Sequence, residues 1–127
     1  MKAVDSKDWR YVRDCFNKNA VLTFHGSQGA RVSIEGAIEG WKAEAATFPD
    51  ARRDMLRGFG QDDVVCIEIQ ETGTQKGTLE HAGKTYQPSG RRFKIMVCAV
   101  LRIQDHKITE ASVYHDSQEY LSQLGVL

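Results

Sequence analysis

A chain of 127 residues, 41% of them apolar and 27% charged, can bury one core but is too short for two domains. Its 17 basic residues balance 17 acidic ones, and no Lys/Arg stripe interleaves with aromatics, which argues against a nucleic-acid partner. No apolar run reaches the ~18 residues of a membrane span, and the start Met1–Lys2–Ala3–Val4–Asp5 lacks the apolar stretch of a secretory signal.

The first predicted element is a helix over Ser6–Asn17, with Trp9, Val12, Cys15 and Phe16 on one face and Asp5 or Ser6 as its cap. Ala20–Phe24 reads as a short strand and Gly26–Gly29 as a loop. Between Ser33 and Phe48 the apolar residues Ile34, Ile38, Trp41, Ala45 and Phe48 step by three and four, the period of one helix face. Ser33 is the expected N-cap, and Pro49 stops the helix. The period then changes. Strands are predicted at Arg52–Phe59, Val64–Thr74, Arg92–Ile103 and Ile108–Asp116, with a turn at Asp62–Asp63, a hairpin region from Gly77 to Gly90 and a closing helix over Ser117–Leu124.

Helices followed by a meander of long strands indicate an α+β fold. Ile95 to Leu101 is apolar at both parities. A strand of that kind lies centrally, with helices on one face and another layer on the other. A second copy of the chain is the expected layer, which makes the protein a homodimer through its sheet. The three cysteines, Cys15, Cys66 and Cys98, are an odd number without a signal peptide. They fit reduced thiols in a cytoplasmic protein, and Cys66 and Cys98 read as small buried hydrophobes.

The residues able to carry chemistry are few. Asp116 ends the last strand and shares a strand face with Tyr114 and Ser112. On a concave face it would enter a cavity as a general acid or base. The same residue precedes a helix with Glu119 three positions later, the spacing of a capping box, so a structural role stands beside the chemical one. His115 points to the opposite face. His25, at the end of the first strand, is either a pocket-mouth residue or an exposed loop-edge histidine. Asp50, Arg52, Arg53 and Asp54 form a charged cluster. It can orient a water or bind an oxyanion, or it is a set of surface ion pairs. Trp41, Phe48 and Tyr114 are aromatics for a pocket wall or for a core. The four histidines lack metal-ligand spacing, so no metal is expected.

Taken in order, several segments resemble the SnoaL-like polyketide cyclase family of the NTF2-like superfamily over nearly the whole chain. They are Trp9–Phe16 with Ala20–Thr23, Phe48–Pro49–Asp50, Gly73–Thr74 with Gly77, Pro88–Arg91, Lys107–Ile108 with Glu110, and Asp116 leading to Gln123–Leu124–Gly125. The resemblance implies a single domain over residues 1–127 shaped as a cone: a strongly curved mixed sheet with helices packed in its concave face. It implies a pocket for a small hydrophobic molecule, no cofactor, and Asp116 as the acid/base of an aldol-type ring closure. Trp41, Tyr114, Ser112, His25, Arg53 and Phe48 are the expected ligand-binding residues. The chain departs from the pattern at Gln75, His106 and Ser112, where the family often has His, Gly and Trp. Against that pattern the chain is expected to lack the family's usual first helix, so that the pocket is more open, a partner subunit covers the gap, or the start lies downstream of the real one. The functional reading is a pocket protein that acts as a cofactor-free cyclase or isomerase on a hydrophobic carbonyl compound. The alternative is a non-catalytic ligand-binding or dimeric structural module.

Overall fold

A computed structural model of the chain describes residues 2–127. Two short helices open the chain: α1 (Lys2–Asp5), which the sequence reading did not anticipate, and α2 (Trp9–Asp14), which covers the middle of the helix expected over Ser6–Asn17. Lys7, at φ 61°, takes the left-handed conformation between them, and Asp8 caps α2 by accepting from the Tyr11 amide at 3.2 Å. The helix ends early because the chain is drawn into the sheet. The Ile108 amide donates to the Cys15 carbonyl at 2.9 Å, and strand β1 (Phe16–Phe24) begins at the next residue.

After β1 come a short 3-10 turn at His25–Ser27 and β2 (Ala30–Ser33), a strand the sequence reading did not anticipate. Helix α3 (Ile34–Thr47) follows the predicted face. The Ser33 hydroxyl accepts from the Gly36 amide at 3.1 Å, and Glu35 in the first turn favours the positive end of the helix dipole. The remaining strands are β3 (Arg52–Gln61), β4 (Val64–Thr74), the hairpin β5 (Leu79–His81) and β6 (Lys84–Tyr86), β7 (Arg92–Gln104) and β8 (Lys107–His115), and helix α4 (Ser117–Leu124) closes the chain. Six strands form one mixed sheet in the order β2-β1-β8-β7-β4-β3, parallel only between β1 and β8. Register shifts interrupt the β1–β8, β3–β4 and β7–β8 ladders. Such irregularities bend and twist a sheet, and here they give it its strong curvature.

Strand alternation decides what the curved sheet covers. On β7, Phe93, Ile95, Val97 and Ala99 are buried on the concave side, whereas Met96 between them is exposed. Two apolar clusters fill that side. One joins Val4, Val12, Leu22, Ile34, Ala37, Ile38 and Ala111 beneath the first three helices. The other joins Phe48, Ile69, Phe93, Ile95, Val97, Ala99 and Leu124 beneath α4, with the Phe93 ring edge-on to Phe48 at 4.9 Å and to Tyr120 at 5.0 Å. Among the described residues, no layer of the chain covers the convex side. Cys66 and Cys98 lie there, half-buried and free, with their sulfurs 3.5 Å apart. They are therefore not the enclosed core residues that their apolar neighbours suggested.

The hairpin is fastened beneath the end of α3. The amides of Lys76 and Gly77 both donate to the Thr47 carbonyl at 3.0 Å. A Cβ on Gly77 would stand 2.3 Å from the Ala46 carbonyl oxygen, so only glycine permits the approach. Gln75, 1% exposed, uses its amide fully. Its Nε2 donates to the carbonyls of Gly77 and Gln87 at 3.1 Å, and its Oε1 accepts from the Ser89 hydroxyl at 2.7 Å. A buried amide with all its bonds made is tolerated and holds the loop in one place. Among the described residues, no helix is long and apolar enough to cross a membrane.

Candidate functional site: a cavity ending in an arginine-bridged carboxylate cluster

Between the two apolar clusters, the concave face opens into a cavity of about 1180 Å³. Its walls include Val12 and Leu22 from the helical side, Trp41 from α3, and Ile67, Leu101 and Val113 from the sheet. Ala99 and Ala111 lie on the two central strands and also line it. Side chains of one carbon, where neighbouring positions carry valine, leucine or isoleucine, leave the hollow unfilled. At the β3 edge the lining turns polar, with Asp50, Arg52, Arg53 and Asp54. Arg52 and Asp54 pair with each other at 2.8 Å, and Asp50 accepts from the amide and hydroxyl of Thr74, both at 2.8 Å. These bonds pull the Asp50 carboxyl below its ordinary range, so it stays ionised as a lock between the β3 entrance and the end of β4.

Arg53 differs from these rim residues. Its side chain is only 10% exposed and bridges three carboxylates. Asp5 accepts from its backbone amide at 2.8 Å and from Nη1 at 3.0 Å. Nη2 donates to Glu44 at 2.6 Å and to Glu71 at 3.4 Å. The last contact follows from register, since Arg53 and Glu71 are direct partners across β3 and β4. Burial works against the guanidinium charge, but Glu44, Glu71 and Asp5 outweigh it and hold the Arg53 pKa above that of an ordinary arginine. One positive charge then faces three carboxylates. Burial, followed by the proximity of Glu71, raises Glu44 to about 8 against the opposing pull of Arg53. Near neutrality, one proton is therefore held on this pair of glutamates.

Glu44 does not line the cavity itself but lines a crevice of about 10 Å³, room for a single water, whose walls Val4, Asp5, Trp41, Ala51 and Arg53 also line the cavity. On the opposite side, Glu44 and Tyr120 face a second cleft of about 470 Å³ under the β5–β6 hairpin. Burial, with Glu44 and Glu71 nearby, raises the Tyr120 hydroxyl and keeps it protonated. His115 is half-buried, and its ring packs so close to the backbone of Gly26 that a Cβ there would lie 2.1 Å from the imidazole. Burial lowers its pKa, against the attraction of Glu44 and Asp116, and favours the neutral ring.

The candidates read from the sequence fall into two groups. Trp41 and Arg53 line the cavity as expected. Tyr114, Ser112, His25 and Asp116 do not. Ala111 and Val113 take the concave parity of β8, so Ser112 and Tyr114 face outward. Tyr114, 43% exposed, stacks on the His25 ring at 4.2 Å. His115, expected on the outer face, is the one directed inward. Phe48 is 1% exposed; it belongs to the core and borders the crevice and the second cleft rather than the main cavity. Asp116 is exposed and caps α4, its Oδ1 accepting from the amides of Gln118 at 3.0 Å and Glu119 at 3.1 Å. The Glu119 carboxylate does not complete a reciprocal box but accepts from Gln123 at 3.2 Å. The sequence reading missed Asp5, Glu44 and Glu71. Two of these had a legible signal: Glu44 follows Trp41 by three positions on the apolar face of α3, and Glu71 shares strand parity with Ile67 and Ile69.

Comparison with known proteins agrees with this architecture. The sequence profile described as SnoaL-like polyketide cyclase matches residues 1–124. No curated protein sequence matches the chain. Among solved structures, IdmH of Streptomyces antibioticus, named as a candidate polyketide cyclase, superposes with a TM-score of 0.82 at 26% identity, over 98% of this chain and 92% of that one. TsrD of Streptomyces laurentii gives 0.80 at 22% identity, over 98% and 88%. An LEH-like epoxide hydrolase of M. tuberculosis gives 0.73 at 15% identity, over 98% and 82%, and shows a shared fold alone. The chain belongs to the SnoaL-like polyketide cyclase family.

Proposed function

We infer that this protein takes a small hydrophobic carbonyl compound into its concave cavity and acts on it by cofactor-free acid/base chemistry of the cyclase or isomerase type. The observation that carries this reading is an apolar cavity of about 1180 Å³ with an ionisable cluster at one end. That is the usual make-up of a small-molecule site, in which apolar walls supply affinity and a few polar groups supply orientation. Trp41 offers a flat wall, and Arg53 marks the polar end. Family membership supports the same class of chemistry but leaves open the choice between ring closure and isomerisation. Asp116, which the resemblance marks as acid/base, serves in this reading to seat α4, whose Leu124 helps to close the core. Its engagement there favours a second reading, a binding module without turnover. The free thiols fit a cytoplasmic protein, and the bare convex face suits a homodimer.

The test uses bicyclic and tricyclic aromatic ketones, with quenching of Trp41 fluorescence followed in a Trp9→Phe background. Saturable quenching is expected. It should disappear in Ala99→Trp, whose indole fills the hollow, provided thermal melting shows that variant to be folded. Equal quenching in both proteins would place the ligand elsewhere and remove the basis of the proposal. Saturable binding with no product formed from any ketone would favour the binding module.

A further inference from the structure

Beside the cavity lies a proton-bearing group other than the one that the family resemblance points to. Three carboxylates converge on the Arg53 guanidinium, at 3.0 Å for Asp5, 2.6 Å for Glu44 and 3.4 Å for Glu71. Asp5 takes two bonds from Arg53, one from the backbone amide and one from the side chain, and so shares the single guanidinium charge with the two glutamates. Glu44 and Glu71 are left to share the remaining contact, with their side chains 25% and 15% exposed. Two such carboxyls, partly withdrawn from water and served by one nitrogen, cannot both remain ionised at low cost. Glu44 also faces the crevice that shares Val4, Asp5, Trp41, Ala51 and Arg53 with the main cavity. That crevice has room for one water, so a proton rather than the carbonyl compound itself can pass between Glu44 and the cavity.

We propose that Glu44, bridged by Arg53 to Glu71, is the proton-exchanging residue of the cavity, and that the Glu44–Glu71 pair both gives and receives the proton during enolisation or aldol closure of a hydrophobic ketone. This deepens the preceding functional reading and rests on it. In the closure step, an enol carbon forms a bond to a carbonyl carbon, and the π pair of that carbonyl moves onto its oxygen. The oxygen takes a proton from a water in the crevice, which takes one in turn from Glu44. The enol's own C=O re-forms, and its released hydroxyl proton returns to the carboxyl pair, so nothing is consumed. Arg53 stabilises the pair during the interval in which both members are ionised. The charged and titratable groups around Glu44 are Asp5 from α1, Lys7 from the turn after it, Arg53 from β3, Glu71 from β4, Glu80 from β5, His115 from β8 and Tyr120 from α4. Burial disfavours the charged form of His115 and, more strongly, that of Tyr120, so neither supplies a competing charge near neutrality.

The probe is 2-tetralone in deuterated buffer, with α-proton exchange followed by proton NMR and binding followed by chemical-shift changes at Ala99 and Ala111. Wild-type protein should bind the ketone and exchange its α-protons above the buffer rate. Glu44→Gln keeps a partner for Arg53 and should bind equally well while losing about 10²–10⁴-fold in exchange. Glu71→Gln should shift the pH profile of exchange to lower pH, because it removes the neighbouring negative charge. Asp116→Asn should exchange like wild type. Binding without exchange, or exchange that survives Glu44→Gln, would overturn the assignment and leave the pocket reading intact. Absence of binding would overturn both.

Discussion

Arg53 donates to three carboxylates and can neutralise only one of them. The consequence belongs to the residues themselves and is measurable without any ligand. In the unfolded chain Glu44 loses its proton at the ordinary glutamate value of about 4.5, whereas in the folded protein it holds that proton to about 8. Between those values the native state binds more protons than the unfolded state, so stability falls as pH rises. The contribution is complete below the unfolded value and is lost as pH passes through the folded one. The expected slope approaches about 1.4 kcal/mol per pH unit at its steepest, and urea denaturation at half-unit intervals between pH 5 and pH 9 will show it. Glu44→Gln, which cannot ionise, should flatten the curve over that window. An unchanged slope in the variant would mean that the proton resides elsewhere. Arg53 is not an alternative source, because its neighbours only raise its pKa further.

Among the elements, α4 separates a structural role from a chemical one. Asp116 satisfies two amides of the first turn, and Gly125, in the left-handed conformation at φ 75°, ends the helix. Asp116→Ala should therefore cost about 1 kcal/mol of stability, in keeping with an ordinary N-cap, while Asp116→Asn should cost much less. Thermal melts of the two variants would decide this. If Asn proves as costly as Ala, the carboxylate charge itself is needed and the cap is not its whole role. The same element shows how far the sequence could be read. Helices α3 and α4 and strand β4 were legible to within a residue, because periodicity, caps and turns agreed there. The helix expected over Ser6–Asn17 was not, because the contact that ends it is made by Ile108, far away in the chain. The facing of β8 was misjudged for a related reason. Alternation groups Ser112, Tyr114 and Asp116 together but does not say which parity is concave. Ala111 and Val113 settle that only once β8 is placed between β1 and β7. The Arg53 cluster was half legible: the arginine was singled out, but its partners come from α1, α3 and β4, and while strand register brings Glu71 to it, only the packing of the helices on the sheet brings Asp5 and Glu44.

At the scale of the whole molecule, the sheet has one covered face and one bare one. The bare face carries Phe59, Met96 and Tyr114, which are 67%, 46% and 43% exposed, around the half-buried Cys66, Cys98 and Val100. Strand β7, apolar at both parities, runs through the centre of the six-stranded sheet. Burying such a band against water is favourable in proportion to its apolar area. Some of the charges flanking it are already matched, Arg57 with Glu68 at 3.3 Å and Arg102 with Asp63 at 2.9 Å and Glu110 at 3.2 Å, while Arg92 and Lys94 lie exposed at the other end of the same face of β7. A second copy related by a two-fold axis would therefore meet an apolar centre with a partly neutralised margin, an arrangement that suits an isologous dimer. Light scattering of the wild-type protein should give twice the mass of one chain. Met96→Glu would place a carboxylate in the middle of that contact and should yield monomers that still quench Trp41 on binding aromatic ketones, since the cavity lies on the other face. Alkylation of Cys98 should be slow in the dimer and fast in the variant. A monomeric wild type, or a Met96→Glu dimer of unchanged mass, would show that the convex face does not mediate self-association.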